Sequence, residues 1–283
     1  MSKQFPRTTV AGVSLPRMLI GTNWLMGYSH MSHSADQYIR KLNRNGEAVA
    51  NIIEAFLEYG IDAVMGCASA DTELLDGIKI AEDRTGKKVI LIDTPHMNMD
   101  DTAQGRREAE AVIANSKKIG AAFCLPHHGS VEQLVNKNKQ IIDRLPDYLS
   151  MIRDHGMIPG LSAHMPELIV YSDEQEYDVE TYIQIYNCMG FLMQVEIEYI
   201  HKVIWSAKKP VMTIKPMAAG RCSPFVGLTF SFATLRERDM VTVGCMMPGE
   251  AHEDVEIALA AIERRKPEVE GRGSPNKTSI MVD

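Results

Sequence analysis

The stretch PVMTIKPMAAGR, residues 210–221, combines a short apolar run with a lysine and a glycine turn. Val211, Met212 and Ile214 make a run typical of a parallel strand that is buried on both faces. Lys215 follows this run directly, and a (β/α)8 barrel places its reactive side chains where such strands end. The stretch therefore predicts a barrel strand. Lys215 is then either a functional group at the barrel mouth or a lysine whose stem only carries its ammonium to water.

The same alternation of an apolar strand and an amphipathic helix runs through the chain, which favours one closed parallel barrel over a doubly wound sheet. We predict a single (β/α)8 TIM-barrel domain over residues 1–283, opened by a short β-hairpin around Gly12. Residues 267–283 form a polar tail that is either poorly ordered or an oligomer contact. The predicted strands are 18–22, 61–66, 89–93, 121–125, 158–162, 182–187, 211–215 and 240–244. The predicted helices begin at Ala48 and include 72–84, 102–118, 138–155 (kinked at Pro146), 166–171, 195–207 and 253–264.

Composition excludes several classes of protein. The chain has 283 residues and a net charge of −7, with no basic stripe, so we expect no nucleic-acid partner. It has no apolar run long enough to span a bilayer and no signal-peptide pattern, and its five cysteines are widely spaced. These features predict a cytoplasmic protein that acts on a small-molecule substrate, and they leave a homo-oligomer open.

Polar side chains occupy most of the predicted strand ends, where a barrel builds its active site. Histidine and aspartate on neighbouring strands can act as acids, bases or ligands of zinc or manganese, and a cysteine can serve as a soft ligand. The alternative is that these histidines only pack in loops or cap helices. The predicted catalytic residues are His127, His128, Lys215 and Asp93; the predicted substrate contacts are Asn23, His30, Asn187 and Arg221; the predicted metal ligands are His127, His164, Asp93 and Cys67.

A long connection follows the first predicted strand, from Asn23 to about Asn45. Long loops over a barrel mouth act as lids or supply ligands, although the histidines of this loop are also typical of a solvated segment.

Several motifs, in this order, resemble the aldo-keto reductases. They are GVSLPRMLIGTNW (12–24), YGIDAVMGCAS (59–69), LPHHGS (125–130), GLSAHMPE (160–167), YIQIYN (182–187), KPVMTIKPMAAG (209–220) and DMVTVGCMMPGEAHEDV (239–255). The resemblance covers about residues 8–264 and implies the barrel fold.

The resemblance does not carry the catalytic tetrad of that family, which is Asp, Tyr, Lys and His. Gly66 stands where the Asp is expected, and Asp71 falls near the position of the Tyr. The third strand ends in Asp93 and Thr94 rather than in the Lys, so only the His is kept, as His127 or His128. The segment after the eighth strand is acidic and lacks the basic residues that meet a nucleotide 2′-phosphate.

The sequence supports three hypotheses of function. The first is a non-redox lyase, isomerase or hydrolase that acts on a small polar or anionic substrate, including a carbohydrate-derived one, with or without a divalent metal. The second is a divergent NAD(P)H-dependent oxidoreductase, which is disfavoured because the proton donor and its lysine are missing. The third is a catalytically inactive barrel used as a binding subunit.

Overall fold

A computed structural model describes residues 4–269 of the chain, so the last fourteen residues of the predicted tail lie outside the described part. Its largest sheet is parallel and contains nine short strands, each followed by a loop or helix. These strands are β3 (Met18–Gly21), β4 (Ala63–Gly66), β5 (Ile90–Asp93), β6 (Phe123–Cys124), β9 (Ile158–Pro159), β10 (Leu161–Ala163), β11 (Tyr182–Ile185), β12 (Val211–Ile214) and β13 (Met240–Val243).

The sheet forms a nearly closed barrel. Its strand order is β10-β11-β12-β13-β3-β4-β5-β6-β9, and its two end strands are separated along the chain by Gly160 alone. A Cβ atom at Gly160 would lie 2.7 Å from the carbonyl oxygen of Thr181 and 2.8 Å from Cγ of Leu125. The interruption is therefore a place where only glycine fits, and β9 and β10 together act as the fifth of eight barrel strands. The predicted (β/α)8 barrel is confirmed.

An antiparallel hairpin precedes the barrel, as predicted, with β1 (Arg7–Val10) paired to β2 (Val13–Pro16). Val10 and Leu15 are buried in the same apolar cluster as the inward side chains of the barrel, among them Leu19 and Phe123. The hairpin therefore closes the amino end of the barrel, which leaves the carboxyl end as the open mouth.

Helices surround the barrel and pack on the outward strand side chains, which form a second and larger core. A second antiparallel hairpin, β7 (Val135–Asn136) with β8 (Ile141–Ile142), lies among the loops. The helices are α1 (His33–Asn43), α2 (Gly46–Leu57), α3 (Thr72–Thr85), α4 (Ala103–Lys118), α5 (His128–Val131), α6 (Leu145–Asp154), α7 (Glu167–Glu174), α8 (Ile197–Ser206), α9 (Pro224–Thr234) and α10 (Pro248–Glu263), with 3₁₀ turns at Ala68–Ala70 and Glu132–Leu134. Within residues 4–269, none of these helices has both the length and the apolar character needed to cross a membrane.

One helix prediction was wrong in extent, and two helices were missed. The 23–45 connection contains α1, whose first turn is capped by the side chain of Ser32, which accepts from the Ala35 amide. Ile39 is the one apolar side chain of α1 that is buried, so this helix shows no apolar stripe in the sequence. The helix predicted over 138–155 begins only at Leu145, because the β7–β8 hairpin occupies the residues before it. Helix α9 was not predicted, although Ser223 caps it and Pro224 opens it.

Candidate functional site

Histidines from three neighbouring barrel strands meet at the carboxyl end of the barrel. His96 follows β5, His127 and His128 follow β6, and His164 follows β10. The ring centroids of His96 and His127 are 3.7 Å apart, those of His127 and His128 are 4.2 Å apart, and those of His128 and His164 are 3.6 Å apart. The four side chains thus form a continuous imidazole row along the mouth.

Glu132 supports one end of the row. One carboxylate oxygen accepts from the backbone amides of His164, at 2.6 Å, and Met165, at 2.9 Å. The other oxygen lies 3.7 Å from Nδ1 of His128, which is one helical turn earlier in the chain. A single carboxylate therefore fixes both members of the stacked His128 and His164 pair.

Burial keeps two rings of the row, His127 and His164, uncharged. Withdrawal from water lowers the pKa of His127 to about 3, and the neighbouring His128 and His96 lower it further. Burial likewise lowers the pKa of His164 to about 3, with added repulsion from His128 and Lys215. At neutral pH both rings are uncharged, so each can accept a proton or bind a metal ion.

Lys215 lies beyond the His164 end of the row. Its backbone is in the left-handed region, with φ of 62°, which for a residue other than glycine is strained. Burial lowers the pKa of its ammonium to about 8, and Nζ lies 3.4 Å from Nε2 of His30. Among residues 4–269, no carboxylate forms an ion pair with Lys215, so this amine is available to a substrate.

Arg221 adds a second cation at the mouth. Its guanidinium lies 3.9 Å from the centre of the Phe191 ring and donates to the carbonyl oxygens of Ala218, at 3.2 Å, and His30, at 3.5 Å. No carboxylate in the described part of the chain pairs with it. Lys215 and Arg221 therefore give this side of the mouth a positive potential that suits an anion, and burial and Lys215 lower the pKa of His30, which leaves that ring uncharged.

A compact group of potential metal ligands lies at the other end of the row. Ligand atoms of Cys67, His96 and His127 all lie within 4.8 Å of one another. The Cys67 thiol donates to the Thr94 carbonyl oxygen at 3.2 Å, and burial raises the pKa of this thiol. Cys67 and His127 were predicted ligands, and His96 completes the group. His164 is separated from His127 by the ring of His128.

Asp93 does not reach the row. Its side chain is fully buried, and its carboxylate accepts from the Ser116 hydroxyl of α4 at 2.6 Å and from the Ser69 amide at 3.1 Å. The structure thus places this predicted ligand and catalytic residue between the barrel and the helices, where it joins β5 to α4.

The remaining predicted residues have different surroundings. Asn23 is exposed in the loop after β3. Asn187 is buried: its Oδ1 accepts from the amides of Met189, at 3.2 Å, and Phe191, at 2.9 Å, and its Nδ2 donates to the Phe191 carbonyl oxygen. The Asn187 side chain therefore shapes the loop that carries Phe191.

Four residues of the site were not assigned a role from the sequence, namely His96, Glu132, Thr94 and Phe191. Glu132 could have been found from its spacing, because it lies four residues after His128 on a helical turn. Thr94 and Phe191 carried no pattern that separates them from other loop residues.

Local packing explains why two positions of the aldo-keto reductase tetrad differ here. A Cβ atom on Gly66 would overlap the Thr22 side chain, so the position expected to hold the Asp has no room for one. Asp71 caps α3 by accepting from the Leu74 amide at 2.9 Å, and it pairs with Arg44 at 2.8 Å. Neither position can supply the proton-donor arrangement of that family.

The fold resembles solved aldo-keto reductases. A candidate aldo-keto reductase from Pseudomonas aeruginosa superposes with a TM-score of 0.63 at 12% identity, over 92% of this chain and 98% of that one. An aldo-keto reductase from Klebsiella pneumoniae in complex with NADPH gives a TM-score of 0.58 at 12% identity, over 96% and 99% of the two chains. The thiamine phosphate pyrophosphorylase of Pyrococcus furiosus gives 0.50 at 12% identity, over 87% and 95%. No family model and no curated protein matches the chain. These likenesses confirm the predicted aldo-keto reductase-like barrel, and at 12% identity they concern the fold alone.

Proposed function

We propose that this protein is a non-redox enzyme that transfers protons on a small anionic substrate bearing a carbonyl group. The observation that carries the proposal is the imidazole row, which runs along the mouth and ends beside the amine of Lys215, for which residues 4–269 offer no acidic partner. Isomerisation, carbon–carbon or carbon–oxygen lysis and hydrolysis can all use a neutral base together with a cationic electrophile.

The two ends of the arrangement have different roles. Of the rings in the row, His164 is the one whose pKa Lys215 lowers, and we assign it as the base that removes a proton from the substrate. A substrate anion bound beside the ring would raise its low pKa and so strengthen it as a base. Lys215 acts either as an ammonium that polarises the carbonyl oxygen or, in its neutral fraction near pH 8, as an amine that forms an imine. Arg221 and His30 hold the anionic group of the substrate, which is a carboxylate or the phosphate of a sugar.

The cysteine end of the row can hold a divalent metal. One sulfur and two imidazoles give three protein ligands with a position left for substrate, and this donor set suits zinc better than manganese. Nδ1 of His127 accepts from the Gly129 amide at 3.2 Å, so the neutral ring carries its hydrogen on Nε2. Binding through Nε2 would move that hydrogen and break this bond. Zinc in such an open site polarises a carbonyl oxygen as a Lewis acid.

The first test labels Lys215 with glyoxylate, the smallest aldehyde that carries a carboxylate. At pH 8 an amine condenses with the aldehyde, water leaves, and cyanoborohydride delivers hydride to the resulting C=N bond. We expect the label on Lys215 well ahead of the exposed Lys118, and less label in Arg221→Gln. Equal labelling of Lys215 and Lys118 would contradict an anion-binding carbonyl site.

The second test measures proton transfer itself. Wild-type protein is incubated in D2O with 2-oxo acids and with ketose and aldose phosphates, and exchange of the hydrogens next to the carbonyl is followed by NMR. Exchange that falls at least about 100-fold in both Lys215→Met and His164→Gln supports the proposal, since general acid–base groups contribute about that much. Exchange that persists in both variants would refute the assigned roles.

The metal is tested separately by zinc titration and elemental analysis after dialysis. We expect one zinc per chain, lost in Cys67→Ser and in His96→Gln. His155→Gln is the matched control, because His155 pairs with Glu110 at 2.7 Å outside the row. A wild-type protein that retains no zinc would remove the metal from the proposal and leave the proton transfer in place.

The second candidate is a nicotinamide-dependent oxidoreductase, which the likeness to an NADPH-bound reductase favours. Titration with NADPH and NADH, followed by nucleotide fluorescence, separates the two candidates. Saturable binding in the micromolar range together with reduction of an aldehyde would overturn the proposed non-redox function.

A further inference from the structure

Two thiols face each other at the rim of the mouth, on the side away from Cys67. Cys188 lies in the loop after β11, and Cys222 lies in the turn after β12. Their sulfur atoms are 3.9 Å apart, and both residues are half-buried. The proposed proton transfer uses neither thiol.

Each thiol lies in a turn that is held in place by hydrogen bonds. The Asn187 side chain makes three hydrogen bonds to Met189 and Phe191 and so closes the loop around Cys188. The Cys222 amide donates to the Met217 carbonyl oxygen at 3.3 Å, within a turn that directly follows β12. The short distance between the sulfur atoms therefore follows from the hydrogen-bonded turns at the ends of two neighbouring strands.

We propose that Cys188 and Cys222 form a reversible redox modification site that reacts with small-molecule disulfides of the glutathione class. A sulfur–sulfur bond is about 2.05 Å long, so each sulfur needs to move by roughly 1 Å, which side-chain rotation supplies. Formation of the disulfide does not depend on the proposed function, whereas its effect on substrate anions rests on that function.

The chemistry is two successive thiol–disulfide exchanges. The Cys188 thiolate attacks oxidised glutathione, one glutathione thiolate leaves and takes up a proton, and a mixed disulfide forms on Cys188. The Cys222 thiol then gives up its proton, displaces the second glutathione and completes the protein disulfide. One external disulfide is reduced to two thiols, and two protein thiols are oxidised. Burial raises the pKa of Cys222 to about 11, and Cys188 adds to that rise, so Cys188 is assigned the first attack.

The disulfide would link covalently the two loops that shape the substrate side of the mouth. Phe191 lies three residues after Cys188, and Arg221 directly precedes Cys222. The Arg221 guanidinium already packs on the Phe191 ring at 3.9 Å. Oxidation therefore restrains the cation that faces incoming anions, and reduction releases it.

The test treats the folded protein with oxidised glutathione at neutral pH, quenches it with acid and maps its peptides by mass spectrometry. We expect one linked pair of peptides, containing Cys188 and Cys222, which is two hydrogens lighter than the separate peptides. Cys222→Ser should accumulate glutathione on Cys188, whereas Cys188→Ser should leave Cys222 largely unmodified. Cys67→Ser is the matched control and should form the same linked pair as the wild type.

Two results would overturn the proposal. The first is a wild-type protein in which both thiols stay free, or in which Cys188 keeps an unresolved glutathione, while a glutathione-sensitive reference dithiol is fully oxidised. The second concerns the restraint that the disulfide places on the two loops. Amide hydrogen exchange of residues 187–193 and 216–223 should slow several-fold in the oxidised wild type, and it should not slow in Cys188→Ser treated in the same way. A linked protein whose exchange in both segments is unchanged would refute the restraint on Arg221.

Discussion

Replacing Lys215 by methionine should make the protein more stable at neutral pH. Burial lowers the pKa of this ammonium from its ordinary 10.5 to about 8, so the folded protein binds the proton less tightly than the unfolded chain does. At about 1.36 kcal/mol per unit of pKa, the difference corresponds to roughly 3 kcal/mol of lost stability while the lysine is charged. Methionine has a similar length and no charge, so we expect Lys215→Met to gain between about 1 and 3 kcal/mol at pH 7.

The pH dependence of this gain identifies its cause. Between pH 8 and pH 10.5 the unfolded chain holds a proton that folded Lys215 has already lost, so wild-type stability rises with pH across this window. The advantage of Lys215→Met should therefore be full below pH 8 and should vanish as the pH approaches 10.5. Urea unfolding of both proteins at pH 7 and at pH 10 measures the change.

The exposed Lys118 provides the control, because Lys118→Met makes the same replacement of lysine by methionine but removes no buried charge. Its effect should lie within about 0.5 kcal/mol at both pH values. A Lys215→Met variant that is less stable than the wild type at pH 7 would show that the ammonium is well compensated. A gain of equal size at both pH values would show that packing, rather than charge, causes it.

Two further predictions test the surroundings of the site. Gly66→Ala should destabilise the fold by more than about 2 kcal/mol in urea unfolding, because the added Cβ would overlap the Thr22 side chain and φ at this position is +153°. An unchanged stability would mean that the end of the strand shifts to make room for the Cβ. Ser116→Ala should lower the free energy of unfolding by about 1 to 3 kcal/mol, because it leaves a buried oxygen of Asp93 without its 2.6 Å hydrogen bond. The variant should keep the wild-type rate of proton exchange on the substrate. A variant that is fully stable but no longer exchanges protons would show that Asp93 takes part in the reaction.

The fold and most of the site follow from patterns that the sequence shows clearly. Parallel barrel strands are apolar on both faces, and their carboxyl ends converge, so a polar residue just after each run marks the mouth. This reasoning named His127, His128, His164 and Lys215, which the structure places in or beside the imidazole row.

The same property explains where the reasoning failed. In β5, Ile92 belongs to the inner cluster and Asp93 turns outward to Ser116, but the run ILID gives no polar alternation from which the inward face can be known. Helix α1 was missed for a related reason, since a helix on the rim buries too little apolar surface to show a stripe. The sequence shows which residue ends a strand that is buried on both faces. It does not show whether that side chain points into the barrel or toward the helices, because this depends on the register with the neighbouring strands.

The energetics of the mouth argue against the third hypothesis, an inactive barrel kept as a binding subunit. Lys215, Ala218 and Ala219 all have positive φ, and each such residue costs roughly 1 kcal/mol or more. In the same turn the Lys215 amine is buried without an acidic partner among residues 4–269, and beside it lies a row in which burial keeps His127 and His164 uncharged. None of these features strengthens the barrel, and a single substitution, Lys215→Met, would already remove the buried charge. Strain and unpaired charge of this kind concentrate where a protein binds or transforms a ligand. A barrel that only offered its outer surface to a partner would have no physical need for them at the carboxyl ends of its strands.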